Sequence, residues 1–325
     1  MKYYLFPAII FFSFNSCIVE MEEYTTYFEK QVVVNSLINP AEDFSCILMY
    51  TTSVYDTILR PVENAVISIY NGGNLIAPLD YQSEGKYQSV GVKPLPNNHY
   101  RIEIQVPGYE TIWGETMIPP IVPLDTAYYL EETLWDDPFN FYLDEGVVTF
   151  KDPADEVNYY EWQIFRYKPY ALYDEILNDM IPNYDSMGYY VPFWRILYND
   201  PALINEGLME TSPSSLLCAD ALINGRDITL HFNYKLSPIT NPGWDMKELE
   251  KVLIYQRTLS PEYYHFYKSF YRHRFEQGKT DITASNGVEG FDISSSAINL
   301  YSNVNGALGI FAGYSFVVKE MYKAN

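Results

Sequence analysis

Short runs of β-forming residues, separated by turn residues, dominate the first third of this sequence. Val66–Tyr70 alternates apolar with polar residues and then meets Asn-Gly-Gly-Asn at 71–74, which is typical of a two-residue hairpin turn. Tyr100–Val106 alternates in the same way and ends at a Pro-Gly pair. Because evenly spaced strands with intervening turns are typical of a β-sandwich, we predict one over residues 30–118.

Three segments of this region resemble an immunoglobulin-like module of the carboxypeptidase-regulatory type. They are PVENAVISI at 61–69, GKY at 85–87, and YRIEI at 100–104 with the PGY that follows it. The resemblance implies an immunoglobulin-like sandwich. Modules of this type are usually structural or adhesive.

A proline-rich connector at residues 119–123 follows the predicted sandwich. Its three prolines favour a stiff polyproline II conformation, so we predict the domain boundary there. The remainder, 124–325, mixes β runs with an irregular, aromatic stretch at 170–213, which we interpret as an insertion with short helical pieces. The predicted class is therefore mostly β (α+β), with an N-terminal sandwich and a larger antiparallel β-rich domain that carries a helical insertion and one amphipathic helix.

The amphipathic helix is predicted over residues 261–277. Ser260 stands at the N-cap position, Pro261 occupies the first helical position, and Gly278 is suited to ending the helix. Aromatic residues with helical spacing would dock it. They are Tyr263, Phe266, Tyr267 and Phe270. A strand is predicted over 306–318, where the glycines indicate close packing between strands.

The chain begins with a targeting pattern. Lys2 precedes about a dozen mostly apolar residues, a run that is too short to span a bilayer and matches a secretory signal. The run ends at Phe14-Asn15-Ser16-Cys17, which resembles a lipobox. We therefore predict a lipoprotein signal peptide at 1–16 and a lipid anchor on Cys17. A plain signal peptide with an incidental cysteine is the alternative.

An acidic tether is predicted at residues 17–29. Its cluster of Glu20, Glu22 and Glu23 resembles the surface-export signal of Bacteroidota lipoproteins. A tether that is acidic only for solubility is the alternative. The predicted location is the outer membrane, through the lipid, with the protein facing the cell exterior.

The net charge of −21 over 325 residues restricts the partners of this protein. Binding to nucleic acid requires a basic face, so no nucleic-acid partner is predicted. Anionic lipid would also repel the chain, and the acyl chains on Cys17 would have to hold it at the membrane. The other cysteines, Cys46 and Cys218, are predicted to be buried free thiols.

The sequence contains no G-x-S-x-G, H-E-x-x-H or phosphate-loop motif, so we predict no enzymatic activity, no cofactor and no metal. Several acidic residues have the residue type of a glycosidase pair, and those at 152–156 also that of a calcium site. They are Asp136, Asp137, Asp152, Asp155 and Glu156. A solvated turn is the favoured interpretation of 152–156.

An aromatic cluster in the insertion is the candidate binding surface. It consists of Tyr189, Tyr190, Phe193 and Trp194. Binding residues concentrate on loops that a rigid scaffold supports, and Tyr and Trp are frequent hot-spot residues. The alternative is that these rings cover the core of the second domain.

Four segments, spread over nearly the whole mature chain, resemble a family of Bacteroidota outer-membrane lipoproteins classed as domain of unknown function 4249. They are residues 32–38, 61–69, 259–264 and 301–311. The resemblance implies an outer-membrane lipoprotein, often encoded beside TonB-dependent receptors, and provides no catalytic residues. Together with the predicted anchor, the acidic cluster and the absence of catalytic motifs, it favours an accessory or ligand-capturing partner of a TonB-dependent outer-membrane receptor. A structural or adhesive surface protein and a surface glycan hydrolase are the alternatives.

Overall fold

The computed structural model describes residues 29–324, apart from 54–55, 57, 138–139, 155, 169, 175–178, 184–188, 192, 199, 207–215, 237–250 and 279–298. The described residues are mostly β, as predicted. None of their helices is both long enough and apolar enough to cross a membrane. The predicted signal peptide, the anchor Cys17 and the acidic cluster of Glu20, Glu22 and Glu23 lie outside the described residues.

The N-terminal region forms two groups of antiparallel strands around one apolar core, and we call this region the sandwich. Its immunoglobulin-like relationship stays a prediction. The strands are β1 (Val32–Ile38), β2 (Ser45–Tyr50), β3 (Arg60–Pro61), β4 (Val66–Asn71), β5 (Asn74–Ser83), β6 (Lys86–Gln88), β7 (Asn98–Gln105) and β8 (Ile112–Ile118). β1, β2 and β6 pair on one side, and β4, β7 and β8 pair on the other. Alternate residues such as Val34, Leu48 and Ile102 point into the shared core and are fully buried.

The predicted hairpin turn at 71–74 joins β4 to β5. Asn71 pairs with Asn74, and the φ angles of Gly72 and Gly73 are +55° and +82°. Two consecutive residues with positive φ make a type I′ turn, whose twist matches that of the flanking strands. Glycine adopts this conformation without the steric cost that a side chain would add.

The C-terminal strand completes the N-terminal sheet. After β19 (Val304–Asn305), β20 (Leu308–Lys323) runs parallel to β1, with Val33–Ile38 opposite Leu308–Gly313. A Cβ atom on Gly309 would lie 1.9 Å from the carbonyl oxygen of Val34, so only glycine allows this approach. The predicted strand and its close packing are confirmed. The boundary at 119–123 stays a prediction, because strands from both ends of the chain build the first sheet.

The second region contains the remaining elements. They are β9 (Leu124–Asp136), β10 (Phe141–Lys151), β11 (Tyr159–Lys168), β12 (Tyr170–Asp174), β13 (Asp179–Asn183), β14 (Tyr189–Val191), β15 (Phe193–Tyr198), α1 (Pro201–Ile204), β16 (Leu216–Ala219), a 3-10 turn (Asp220–Leu222), β17 (Asp227–Leu236), β18 (Lys251–Leu259) and α2 (Pro261–Gly278). One run of paired strands is β15–β17–β10–β9, and another is β11–β18–β20. Their core contains Phe150, Trp162 and Phe232.

The insertion at 170–213 differs from the expectation of helical pieces. Its described residues form β12 to β15 and only the short helix α1. The segment has little hydrophobic periodicity of its own, and pairing with β11 and β17 gives two of its strands their partners. Strand formation of this kind depends on tertiary neighbours more than on local propensity.

Helix α2 begins as predicted. The Ser260 hydroxyl accepts a hydrogen bond from the Tyr263 amide at 3.3 Å, which confirms the N-cap. The face that docks is rotated from the predicted stripe, since Tyr263, Tyr264 and Tyr271 are buried whereas Phe270 is only half-buried. Strand β20 supplies Ile310 and Ala312 to the cluster that receives the helix.

Candidate functional site

Two large aromatic side chains are exposed at the end of the β9–β10 hairpin. Trp135 is 41% exposed and Tyr142 is 45% exposed. The two residues are cross-strand partners, and their rings meet edge to face with centroids 4.8 Å apart. Single exposed apolar residues are common on proteins, but a contacting Trp and Tyr combine the residue types that are most enriched in binding hot spots. Together with Phe141 we call this pair the aromatic tip.

Irregularities in the hairpin aim these side chains outwards. Glu132 has a φ angle of +53°, its amide donates to a carboxylate oxygen of Asp144 at 3.0 Å, and the strand register shifts beside Asp144. At the loop, the Asn140 amide donates to the carbonyl oxygen of Asp136 at 2.8 Å. A bulge of this kind bends a strand and redirects the side chains beyond it.

Strand β17 brings a lysine to the same end of the sheet. The Lys235 ammonium donates to the Tyr142 carbonyl oxygen at 2.9 Å and lies 5.8 Å from the centroid of the Phe141 ring. The aromatic tip therefore already holds one cation against a ring face, a contact that is favourable on electrostatic grounds.

The predicted aromatic cluster lies on two strands with different partners. Tyr189 and Tyr190 are on β14, which pairs with β11, whereas Phe193 pairs with Leu236 on β17. Trp194 falls at a shift of register between β15 and β17, next to the backbone of Lys235. The backbone thus places Phe193 and Trp194 at the end of β17 that reaches the aromatic tip. Their side chains lie outside the described part of the structure. Whether these rings form a binding surface or cover the core of the second region therefore stays a prediction.

The candidate carboxylate Asp152 is buried rather than solvated. It is 1% exposed, and it accepts hydrogen bonds from the Tyr160 hydroxyl at 2.5 Å and the Gly225 amide at 2.8 Å. The solvated turn predicted at 152–156 is therefore wrong at Asp152, because two distant groups cover it. Glu156 is exposed, Asp136 is buried, and Asp155 lies outside the described residues.

Two further carboxylates connect helix α2 to the sheet. Glu161 is fully buried on β11 and pairs with the Arg257 guanidinium at 2.7 Å, and it also accepts from the Tyr263 hydroxyl at 3.0 Å. Burial raises the pKa of Tyr263, and the neighbouring Glu161 charge adds to the rise. One Glu161 oxygen, Oε1, and the Arg257 Nε have no hydrogen-bond partner. Such a pair fixes the position of the helix while offering little net stability against apolar packing.

The second of these carboxylates is Glu206. It accepts from the Ala219 amide at 2.7 Å, from the Tyr264 hydroxyl, and from the Lys268 ammonium at 2.7 Å. Burial raises the pKa of Tyr264, and the hydrogen bond to Glu206 raises it further. Tyr264 therefore stays protonated and acts as a donor near neutral pH.

A cleft of about 440 Å³ on the sandwich is a second candidate for binding. Arg101 lies in it and forms ion pairs with Glu103 at 2.8 Å and Glu115 at 3.0 Å. The guanidinium also lies 4.3 Å from the Trp113 ring centroid. Because its charged groups already contact one another, the cleft offers less unsatisfied binding capacity than the aromatic tip.

Two cysteines are further reactive groups among the described residues. Cys46 and Cys218 are buried free thiols, as predicted, and burial raises the pKa of both. Over the described part of the chain, no three His, Cys, Asp or Glu side chains are grouped to hold a metal ion.

Trp135 and Tyr142 are not among the residues predicted from the sequence to bind a partner. The available signal was a tryptophan within an acidic stretch, Glu131 to Asp137, on a strand with no alternating pattern. Alternation predicts which side of a sheet is buried, but it cannot predict that a hairpin end extends beyond the core.

The family model for the domain of unknown function DUF4249 matches residues 18–320. The chain belongs to the DUF4249 family. The match covers the sandwich, the second region and most of β20, so the DUF4249 unit includes both cores and the strand that joins them. No curated protein matches this DUF4249 chain.

Proposed function

We propose that this DUF4249 protein is a non-catalytic binding protein of the cell surface. Acyl chains on Cys17 anchor it in the outer membrane, and it serves as an accessory or ligand-capturing partner of a TonB-dependent transporter. The observation that carries the binding role is the exposed Trp135–Tyr142 pair, which the bulged β9–β10 hairpin holds beside the end of β17.

The proposed location is supported by the first residues of the sequence. An apolar run ends in a lipobox-like Phe14-Asn15-Ser16-Cys17, and the family match begins at the next residue. Mass spectrometry of protein from native membranes should find an acylated Cys17 at the N-terminus. A mature protein that retains Lys2, or that is cleaved at another position, would contradict the anchor.

The burial of Asp152 and Asp220 argues against these two carboxylates as the pair of a glycan hydrolase. Catalytic carboxylates must contact the sugar, but Asp152 and Asp220 are 1% and 3% exposed. Asp152 is held by Tyr160 and Gly225, and Asp220 accepts from the Asn158 amide at 2.7 Å. These contacts give both carboxylates a structural role.

The test is affinity isolation from native membranes with tagged protein. We expect Trp135→Ala combined with Tyr142→Ala to reduce retention of the transporter about fivefold or more, since hot-spot aromatics carry most of the binding energy. Tyr81→Ala is the matched control, because Tyr81 is 39% exposed and also meets a tyrosine ring edge to face, at 5.3 Å. Equal retention by the tip variant and the control would contradict the proposed site.

Trp194→Ala tests whether the predicted cluster belongs to the same surface. The backbone places Trp194 beside Lys235 at the tip end of β17, so we expect weaker retention and a nearly unchanged melting temperature. A melting temperature that falls by several degrees with retention intact would assign Trp194 to the core of the second region.

A further inference from the structure

The hairpin that carries the aromatic tip is strongly acidic. Residues 131–145 contain six carboxylates and no lysine or arginine. The carboxylates belong to Glu131, Glu132, Asp136, Asp137, Asp144 and Glu145. Trp135 lies within this stretch, so a ligand that contacts its ring also enters the field of the negative charges.

Three of these carboxylates already have partners among the described residues. The Lys323 ammonium pairs with Glu131 at 2.6 Å, and the His231 ring is hydrogen-bonded to Glu145 at 2.9 Å. Asp144 accepts from the Glu132 amide. These contacts account for the carboxylates that are furthest from Trp135 along the hairpin.

The carboxylates of Glu132 and Asp137 differ from these three in lacking such partners among the described residues. Both are exposed, both are within three residues of Trp135, and neither forms an ion pair with any residue that the structure describes. An aromatic ring face attracts a cation, and a carboxylate binds a guanidinium through two parallel hydrogen bonds. An exposed Trp with two such carboxylates within three residues of it in the chain is therefore suited to a segment that carries arginine or lysine.

The molecule contains an internal example of this contact. Lys235 places its ammonium over the Phe141 ring at 5.8 Å, at the edge of the same tip. Lys235 also donates to the Tyr142 carbonyl oxygen, which holds it to one side of the Trp135–Tyr142 pair. The contact occupies Phe141 and leaves Trp135 and Tyr142 exposed.

We infer that the aromatic tip receives a basic segment of a partner protein, with an arginine or lysine side chain against Trp135 and Tyr142 and beside Glu132 and Asp137. The inference rests on the proposed binding function and adds the chemistry of the partner's surface. The net charge of −21 has the matching sign, so the whole chain attracts a basic partner before the tip contacts it.

The experiment follows the Trp135 indole N–H by NMR, assigned with Trp135→Phe, while a synthetic peptide of alternating arginine and glycine is added. We expect a saturable shift of this signal. A peptide with glutamate in place of arginine should leave it unmoved. In the Glu132→Gln/Asp137→Asn variant the affinity for the arginine peptide should fall about tenfold, because close charge pairs are lost.

A matched variant separates local from general charge effects. Glu84→Gln with Glu110→Gln removes the same charge from exposed positions on the sandwich, so binding should stay within about twofold of wild type. The inference is overturned by an unmoved Trp135 signal, by an equal response to the glutamate peptide, or by an equal loss in the sandwich variant. If the native transporter is retained but the arginine peptide does not bind, only this inference fails.

Discussion

The sandwich and the second region bury different kinds of side chain. Within the described part of residues 30–118, the buried residues are apolar apart from a few neutral polar groups such as Ser36 and Thr116. The second region buries five carboxylates, and at least four of them are held by hydrogen bonds or an ion pair. The five are Asp136, Asp152, Glu161, Glu206 and Asp220. One core therefore depends on packing, and the other also depends on polar partners that must all be in place.

This difference predicts that the two regions tolerate change differently. An apolar core loses stability in proportion to the volume that is removed, whereas a buried carboxylate that loses its partner keeps the full cost of desolvation. Strand β20 belongs to both regions, since its first half pairs with β1 and its second half with β18. Damage to either core should therefore be transmitted to the other along one strand.

The largest expected effect comes from breaking the buried ion pair of the second region. Arg257→Leu leaves Glu161 charged and buried, and should lower the free energy of unfolding by about 3–5 kcal/mol. Chemical denaturation measures the loss. Glu161→Leu combined with Arg257→Leu should recover most of it, because no charge is left without a partner.

The sandwich provides the control for this change. Arg101 forms exposed ion pairs with Glu103 and Glu115, so Arg101→Leu should cost only about 0–1 kcal/mol. Similar losses for Arg101→Leu and Arg257→Leu would show that the effect of breaking an ion pair does not depend on its burial in this protein.

A second pair of variants truncates aromatic side chains that differ in burial. Phe270→Ala on α2 should cost about 1–2 kcal/mol, since Phe270 is half-buried. Phe311→Ala in the sandwich core should cost about 3–5 kcal/mol, since Phe311 is fully buried. Denaturation of both variants tests the order. A larger loss for Phe270→Ala would mean that α2 is packed more tightly than its exposure indicates.

The smallest expected effect is a pH-dependent change in stability when one aspartate in each region is replaced by asparagine. The sign of the change should differ between the two regions. Burial raises the pKa of Asp220, so its charged form is disfavoured in the folded state, and stability falls as the pH rises from the ordinary pKa through the raised one. Asp220→Asn should therefore be more stable than wild type at neutral pH. This advantage should shrink as the pH falls through the folded pKa, and disappear below the ordinary value of about 3.9.

Asp56 in the first region should behave in the opposite way. A hydrogen bond from the Ile58 amide and the nearby Arg60 lower its pKa, so the charged form stabilises the fold above the ordinary pKa and the gain is lost as the pH falls. Asp56→Asn should be slightly less stable than wild type at neutral pH. Thermal unfolding from about pH 3 to 7 compares the two variants, and equal signs would contradict the assignment.

Local sequence signals predicted much of the fold. The turn at 71–74 required consecutive positive φ angles, which its glycines supply, and the start of α2 required a capping hydroxyl, which Ser260 supplies. The candidate site was less predictable. The four predicted aromatics were placed on two strands by pairing with β11 and β17, and the exposed Trp135–Tyr142 pair depends on a bulge that carries no sequence signature.

The sequence by itself determined the β class, the family, the hairpin and the helix, because these features depend on residues that are near one another in the chain. Tertiary structure alone decided that β20 completes the first sheet and that Asp152 is buried. Both depend on contacts between distant residues, such as Val33 with Leu308 and Asp152 with Gly225. Whether an aspartate is solvated or buried is settled by the partner that reaches it, and that partner has no local signature.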